Sequence, residues 1–566
     1  MAESEKTVLL NTSAAERGRQ AMDCLEAYSK DPERIGKELL FKILKDNENT
    51  EYGRKVGFSE IRTVEDYKKK IPFTVYDDYA EYVVRELTGK EEHLHSAYGV
   101  AQYNRSSGTM GNPKKIPMSS VSMKYLVDYA WAAPYGMAVK RFGTGFLKGK
   151  ALSVAEASAR AVVGTPPKRY FGVSGQCVTD WHMAYPEMFT SPVEAVCPDK
   201  ETDSRYLHAR YGLACKEVSS LQTTFITFVL DLFHYIQDNW AMLCDDIETG
   251  KIDPSVKMSD AVRSKLESEL VPMPDRAAEL RKIFSDGFDN TIAKRIWPGL
   301  TFIMGVSTGT FAAYLSKLRD NFLAEDVPII MTGVVASEGA ISAPYDFNTS
   351  DFAPLGHTMF LEFLPIGEED PSKTCTISEV ELGREYEVIL TTQSGLYRYR
   401  TRDAVRFVKM YNSLPTVEYL YRIDMCINLN GEKTYEPALR AAMDATAEDL
   451  GFYYTDFCVY PDTDAAPSCY HFFIECPRRP KAGLRELSVC LQKELIKANP
   501  ILDRMFGREL MGPVVSEYLQ DETYALWRDK QIMMGGASTQ IKPVKIIMNE
   551  AQLRFFRVLV DKEEEQ

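Results

Sequence analysis

Small hydroxyl residues, glycines and lysines are concentrated in residues 106–115, which read SSGTMGNPKK. Glycine lets backbone N–H groups approach phosphate oxygens closely, hydroxyl groups donate further hydrogen bonds, and lysine offsets phosphate charge. The run is not a Walker A sequence, because the pattern GxxxxGK[ST] is absent. Composition alone fits an ordinary turn equally well, but the ordered series SSGTxGxPK favours a phosphate-binding loop.

Three further segments place charged side chains where chemistry could occur. Residues 336–339 read ASEG, and a glutamate in such a turn can accept Mg²⁺, which prefers oxygen ligands. Residues 395–405 read GLYRYRTRDAV, and residues 539–545 read TQIKPVK. Each segment also has a purely structural interpretation. The first could be a surface turn and the second a cross-strand charge ladder, and the third could carry a solvated lysine.

Hydrophobic patterning predicts the elements that must position these segments. The first hundred residues favour helices, with a strand and loop at residues 71–74, and residues 219–250 favour one or two long helices. A third helix is predicted at residues 275–284. The short apolar run 329–331 predicts a buried strand that leads to the ASEG turn. Two more strands are predicted at residues 385–390 and 397–408.

The pattern changes after about residue 424, which predicts a second domain. Helix signals at residues 435–450 and 483–498 alternate with strand signals at 457–460 and 470–474. Roughly 140 residues is a plausible size for a small α+β domain. We therefore expect an N-terminal domain at residues 1–423 and a C-terminal domain at 424–566.

Length, charge and cysteine usage restrict the class of protein. The 566 residues are too many for one ordinary core, and 45% hydrophobic with 26% charged residues is typical of globular proteins. The net charge of −14 argues against a general nucleic-acid surface but not against ATP. No signal peptide or apolar run of membrane length is present, and the eleven cysteines are scattered, which predicts a cytoplasmic protein with reduced thiols.

The series SSGTxGxPK resembles the phosphate loop of the adenylate-forming superfamily. The runs IPFTVY at residues 71–76, WAMLCDDI at 240–247 and WPGL at 297–300, which leads to Thr308 and Gly309, are similar to the Gretchen Hagen 3 acyl acid amido synthetases of plants and their non-plant relatives. This resemblance extends over nearly the whole chain. It implies an α/β fold, with a large adenylate-forming N-terminal domain and a small, mobile α+β C-terminal domain that turns about a hinge near Asp424.

The resemblance also implies roles for individual residues. Glu338 would bind Mg²⁺ and act in catalysis, and Lys542 would be the catalytic lysine that stabilises charge during adenylation. Asp403 would accept the ribose hydroxyls. Three positions depart from the family pattern: Ala336 replaces a serine, Val334 stands where an aromatic residue is common, and Arg402 occupies a usual glycine position. The nucleotide-binding residues would be Ser106, Ser107, Gly108, Thr109, Gly111, Lys114, Ser337, Asp403 and Arg422.

The implied activity is that of an ATP-dependent ligase. It would convert a carboxylic acid into an acyl-adenylate and pass the acyl group to an amine, with an amino acid as the default acceptor. The expected partners are therefore these small molecules, ATP and Mg²⁺, with no nucleic acid and no membrane span. An acyl-CoA ligase and a non-catalytic nucleotide-binding relative stay open as alternatives, and the sequence specifies neither the acid, the amine nor the oligomeric state. Acyl specificity is expected from helices in residues 120–180 and the loop around Gly305 to Tyr314.

Overall fold

A computed structural model describes residues 3–89, 91–106, 114–156, 161–171, 181–199, 201–307, 312–347, 349–430, 432–534 and 541–561. The chain divides into two compact units. The first consists of Met1–Thr401 and Val405–Tyr419, and the second of Arg402–Ala404 and Leu420–Gln566. The domain boundary at residues 423 and 424 stays a prediction. Within the described residues, no helix is long and apolar enough to cross a membrane.

The first unit opens with helices, as predicted for the first hundred residues. Its first helix packs so closely on helix Ala133–Phe142 that a Cβ added at Gly18 would lie 1.9 Å from the carbonyl oxygen of Ala132. The helices of this unit are Glu3–Lys30, Pro32–Asn47, Glu51–Val56, Val64–Lys70, Asp77–Leu87, Ser120–Val127, Ala133–Phe142, Val193–Val196, Ser204–Ala214, Ile226–Thr249, Asp260–Glu269, Pro274–Ser285, Ile292–Ile296 and Ala312–Asn321.

Four parallel strands form the central sheet of the first unit. Their order is Lys150–Val154, Val218–Phe225, Phe302–Val306 and Ile329–Met331. The prediction of a strand at residues 329–331 is confirmed. The helical prediction for residues 219–225 is wrong, because this stretch is a buried strand and the helix begins only at Ile226. The two apolar residues of this stretch, Leu221 and Phe225, are four positions apart, which is a helical spacing, and the strand leads directly into the helix without a breaker residue.

Two further sheets of four strands complete the larger part of the fold. One has the order Lys115–Met118, Gln102–Arg105, Lys168–Phe171 and Ala161–Val163, and its first two strands are antiparallel. The other has the order Phe360–Pro365, Glu385–Thr391, Tyr399–Tyr411 and Leu414–Arg422. Short antiparallel pairs join Val335–Ala336 to Gly339–Ala340 and Ser342–Ala343 to Ala353–Pro354.

The alternating arginines at residues 398–402 do not form a regular ladder on one strand face. Arg398 has a φ of +47° and Arg402 a φ of +63°, so the backbone leaves the extended conformation at both positions. Arg398 is fully buried, and its Nη2 lies 3.0 Å from Oε1 of Glu362. Arg400 pairs with Glu387 at 2.6 Å. Arg398 and Arg400 therefore pair with carboxylates on strands Phe360–Pro365 and Glu385–Thr391, whereas Arg402 lies near Asp424.

The second unit is the small α+β arrangement that the sequence predicts. Strand Asp456–Asp462 pairs antiparallel with Cys469–Glu475, which pairs parallel with Val515–Leu519. A short hairpin joins Cys426–Ile427 to Thr434–Tyr435. The described helices of the second unit are Glu436–Leu450, Leu484–Ala498, Ile501–Gly507, Thr523–Met533 and Glu550–Val558.

Candidate active site in two parts

Two antiparallel strands of the first unit hold the ends of the candidate phosphate loop. Arg105 is paired with Lys115 in this hairpin. Beyond that pair, the backbone N–H of Lys114 donates to Oγ of Ser106 at 2.9 Å, and the N–H of Ser106 donates to the carbonyl of Lys114 at 3.3 Å. The predicted residues Ser106 and Lys114 therefore close the base of the loop. The predictions for Ser107, Gly108, Thr109 and Gly111 lie outside the described residues.

The ASEG segment forms a tight turn in the same unit. Ser337 and Glu338 lie between the paired strands Val335–Ala336 and Gly339–Ala340, and Gly339 has a φ of +146°. The Glu338 side chain is half-buried. A half-buried carboxylate at the tip of a turn is a fitting oxygen ligand for Mg²⁺, which is usually shared between one or two carboxylates and substrate phosphates.

A buried asparagine brings the loop and the turn together. Nδ2 of Asn104 donates to the carbonyl oxygen of Ser337 at 2.7 Å, and Oδ1 of Asn104 accepts from Nε2 of Gln102 at 2.6 Å. Asn104 lies on the strand that leads into the loop and is 0% exposed. This relay of two amides links the strand that leads into the candidate phosphate loop to the turn that carries Glu338. The sequence analysis missed it, although Asn104 precedes the loop by only two residues.

Tyr76 supports the other end of the loop. Its hydroxyl oxygen accepts from the backbone N–H of Lys115 at 3.2 Å, and Nζ of Lys114 lies 5.8 Å from the centre of its ring. The run at residues 71–76 was noted for its family resemblance alone, and the structure gives its tyrosine a physical task. The side chain of Lys114 itself is exposed.

The helix predicted to help form the acyl site contains one wide turn. A π-helical turn at Asp128–Ala132 separates helix Ser120–Val127 from Ala133–Phe142. Such turns are frequent at functional sites. The turn places Trp131 in a stack with Trp181, with ring centres 4.1 Å apart. The predicted specificity region thus contains an aromatic cluster, although residues 157–160, 172–180 and 308–311 lie outside the described part of the chain.

The second unit contains the remaining predicted residues. Nη1 of Arg422 lies 3.8 Å from the carboxylate of Asp403, which is buried. Nε of Arg402 lies 3.7 Å from the carboxylate of Asp424. The N–H of Ile423 donates to the carbonyl of Arg402 at 2.7 Å. Because Arg402 has a φ of +63°, it keeps the left-handed backbone that a glycine adopts most easily. The arginine therefore occupies a backbone conformation in which a glycine would be less strained.

Lys542 lies near the same charged groups. Its pKa is lowered from the ordinary lysine value, chiefly because surrounding protein atoms displace water, although the side chain itself remains exposed. The Arg422 guanidinium lowers this pKa further, whereas the Asp403 and Glu436 carboxylates oppose the shift. The second unit therefore brings together Asp403, Arg422 and Lys542, three of the predicted residues. An ammonium in this setting can stabilise negative charge that develops on a substrate.

Comparison with known families decides the class of this fold. Three family models match the chain: the GH3 family N-terminal domain at residues 21–329, the central domain at 352–422 and the C-terminal domain at 438–551. The chain belongs to the GH3 family. The predicted resemblance is therefore confirmed, and it extends through both units.

Relatives of this GH3 chain share about a quarter of its residues over nearly the full length. The jasmonoyl–L-amino acid synthetase GH3.5 of Oryza sativa subsp. japonica is 26% identical, covering 94% of this chain and 95% of the relative. The 4-substituted benzoates-glutamate ligase GH3.12 of Arabidopsis thaliana is 25% identical, covering 93% and 95%. The structure of GH3.15 acyl acid amido synthetase superimposes with a TM-score of 0.81 at 22% identity, covering 95% of each chain, which shows that the two chains share the same α/β fold.

Proposed function

We propose that this GH3 chain is an acyl acid amido synthetase that activates a carboxylic acid with ATP and joins it to the amine of an amino acid. The hydrogen bond from Asn104 to Ser337 carries the proposal, because it places a phosphate-type loop beside a carboxylate turn. The names of the relatives support amide formation, since those proteins are amido synthetases or amino acid ligases. Family membership over three consecutive domains supports the same conclusion.

The first step would form the acyl-adenylate. A carboxylate oxygen of the acid attacks the α-phosphorus of ATP, and the bond to pyrophosphate breaks. This reaction needs in-line placement and charge stabilisation more than proton transfer. The loop from Ser106 to Lys114, including Ser107, Gly108, Thr109 and Gly111, would hold the phosphates together with Ser337. Lys542 would offset the charge that develops between the carboxylate and the phosphate.

The nucleoside and the metal would be bound by other predicted residues. Asp403 would accept the ribose hydroxyls, and Arg422 beside it would fix the orientation of the carboxylate and contribute positive charge. Glu338 would hold Mg²⁺, which supplies charge neutralisation to phosphate oxygens when it is bound. The three departures from the family pattern leave these side chains in place, since Glu338, Asp403 and Lys542 are all present.

The second step would transfer the acyl group. The amine nitrogen attacks the acyl carbon, AMP leaves, and the amine loses a proton. We place the start of the C-terminal domain at residue 424 and propose that it turns about the hinge near Asp424 between the two steps. A crosslink that fixes the two domains should then impair one step and spare the other, and two unimpaired steps would contradict the turn.

The test combines the purified chain with ATP, Mg²⁺, a panel of aromatic and aliphatic acids and a panel of amino acids. Pyrophosphate release that depends on the acid, with a new amide identified by mass spectrometry, supports the proposal. A parallel reaction with coenzyme A provides the control. A thioester and no amide would identify an acyl-CoA ligase, and ATP binding with no turnover across both panels would identify a non-catalytic nucleotide-binding relative.

A further inference from the structure

The segment at residues 71–76 is paired with the strand region that carries the alternating arginines of the first unit. The backbone N–H of Thr74 donates to the carbonyl of Arg398 at 3.0 Å, and the N–H of Arg400 donates to the carbonyl of Thr74 at 2.9 Å. The hydroxyl of Thr74 also donates to the carbonyl of Tyr397 at 2.8 Å. Three hydrogen bonds at one residue therefore fix the register of the 71–76 segment.

A buried arginine holds the start of the 71–76 segment. Nη1 of Arg398 donates to the carbonyls of Lys68 and Ile71 at 2.7 and 2.9 Å. The centre of the Phe73 ring lies 4.8 Å from Cζ of the same arginine. Every N–H of the Arg398 guanidinium has an acceptor, so moving the segment would leave a buried charge poorly paired, which is strongly unfavourable. The segment is therefore a firmly fixed support.

Tyr76 extends this support to the outgoing end of the candidate phosphate loop. Its hydroxyl oxygen accepts from the N–H of Lys115 at 3.2 Å, and its ring centre lies 5.8 Å from Nζ of Lys114. Strand Lys115–Met118 is an edge strand of its sheet, so the N–H groups on its outer side need acceptors from elsewhere. Burial raises the pKa of the Tyr76 phenol above its ordinary value, so the hydroxyl stays neutral. One side chain thus contacts two consecutive residues at the point where the loop joins its strand.

We propose that Tyr76 is a positioning residue, through which the buried Arg398 sets the placement of the phosphate-type loop and hence its affinity for nucleotide phosphates. A phenylalanine would bury nearly the same apolar surface, so the hydroxyl is explained by its contact with Lys115 and not by packing. Asn104 supports the incoming strand of the loop and Tyr76 the outgoing strand, so separate elements hold the two ends. The effect on ATP rests on the proposed function of the loop, whereas the contacts of Tyr76 do not.

The main test is Tyr76→Phe, which keeps the ring beside Lys114 but removes the acceptor for the N–H of Lys115. Amide hydrogen exchange at Lys115, located with overlapping peptides and mass spectrometry, should become about fivefold faster, because a protecting hydrogen bond is lost. The dissociation constant of ATP, measured by titration calorimetry, should rise about fivefold. The KM for ATP in pyrophosphate exchange should rise with it. The kcat at saturating ATP should stay within about twofold of the wild type, because bound nucleotide compensates for the lost support.

Two further variants separate positioning from general stability. Tyr98→Phe is the matched control, because Tyr98 is also half-buried and its hydroxyl donates to Asp46 on helix Pro32–Asn47. This control should leave both the exchange at Lys115 and the affinity for ATP unchanged. Tyr76→Leu also removes the ring beside Lys114, and it should weaken ATP binding by about two- to fivefold beyond the effect of Tyr76→Phe.

The outcomes distinguish this proposal from the proposed function. Wild-type affinity for ATP in Tyr76→Phe or in Tyr76→Leu would overturn the positioning role. Faster exchange throughout the first unit, together with a lower urea midpoint, would also overturn it, because that result indicates a purely structural role. If the wild type binds no ATP, the proposed function fails, and the exchange at Lys115 alone decides whether Tyr76 positions the end of the loop.

Discussion

The two units hold their candidate site residues by different physical means. In the first unit, uncharged groups make the connections, since Asn104 and Tyr76 contact backbone atoms of the turn and the loop. In the second unit, the connections are ion pairs, which join Asp403 to Arg422 and Asp456 to Lys545. Neutral hydrogen bonds depend on exact geometry and little on salt, whereas charges act over longer distances and respond to salt and to replacement. Substitutions in the first unit should therefore act through geometry, and those in the second through charge.

The largest effect is expected from removing the charge at Lys542. Lys542→Ala should slow the adenylation step by about 10²–10³-fold, because a charge that stabilises a transition state is lost. ATP–pyrophosphate exchange in the presence of the acid measures this step. Lys481→Ala is a matched control, since Lys481 is another exposed lysine of the second unit. A loss no greater than that of the control would show that the charge at Lys542 is not used.

The next largest effect concerns a buried neutral imidazole of the first unit. His208 lies between Ser191, whose Oγ is 2.8 Å from Nδ1, and the carbonyl of Ala155, which is 3.1 Å from Nε2. Burial lowers the pKa of His208 to about 4, against an ordinary value near 6.5. Between pH 6.5 and 4 the imidazole is protonated in the unfolded chain but stays neutral in the folded chain. Stability is therefore fully present above pH 6.5 and is lost by up to about 3 kcal/mol as the pH falls towards 4.

His208→Gln tests this pH dependence, because an amide keeps a donor and an acceptor but does not titrate. The urea midpoint of the wild type should approach that of the variant, or fall below it, as the pH is lowered from 6.5 to 4. His234→Gln is the control, since His234 is exposed. If the difference between the wild type and His208→Gln stays constant over this range, the imidazole is not held neutral by the fold.

A smaller effect is expected from interrupting the amide relay of the first unit. Asn104→Leu keeps a similar volume but removes the hydrogen bond to the carbonyl of Ser337 and the one from Nε2 of Gln102. An unsatisfied buried group costs about 1–3 kcal/mol, so the adenylation rate should fall about 10–100-fold. The Mg²⁺ concentration needed for half of the maximal rate should rise, because the Glu338 turn loses its support.

Two measurements distinguish a geometric effect of Asn104→Leu from a general loss of stability. Asn239→Leu removes a comparable side chain, whose Nδ2 donates to the carbonyl of Tyr235 within a helix, and should leave the Mg²⁺ requirement unchanged. The effect of Asn104→Leu should also be the same at low and high salt, in contrast to changes at Arg422. An unchanged Mg²⁺ requirement would mean that the relay does not position the turn.

Local patterns predicted most of these elements, and the contacts between distant segments were not predictable. Strands such as Ile329–Met331 and Glu385–Thr391 are identified by apolar runs and alternation. Residues 219–225 were mistaken for helix because their two apolar residues, Leu221 and Phe225, have helical spacing, and polar residues occupy the other buried positions of the strand. Asn104 was missed for another reason: one asparagine in a strand carries no pattern, and its partner Ser337 lies 233 residues away.

The same limit applies to the charged residues of the second unit. Lys542 could be proposed because the family resemblance singles out its segment. Lys545 has the same residue type three positions later, and only the burial of Asp456 shows that the two lysines differ. Likewise, the sequence shows an arginine at position 402 but not its backbone conformation. The φ of +63° places Arg402 in the left-handed region, and the cost of this conformation can be measured.

The smallest predicted effect is at Arg402, and its sign is the informative part. A non-glycine residue in the left-handed region costs about 1–2 kcal/mol, so Arg402→Gly should be more stable than Arg402→Ala by about 1 kcal/mol. Both variants lose the contact with Asp424, so the comparison isolates the backbone. Urea denaturation measures the difference.

Arg406 provides the control, since it lies on the regular part of strand Tyr399–Tyr411 and has no positive φ. There the order should reverse, because glycine in a strand loses more conformational entropy on folding than alanine does. If alanine is the more stable residue at both positions, Arg402 does not hold the left-handed conformation in solution. The placement of the neighbouring Asp403 would then have to be reconsidered.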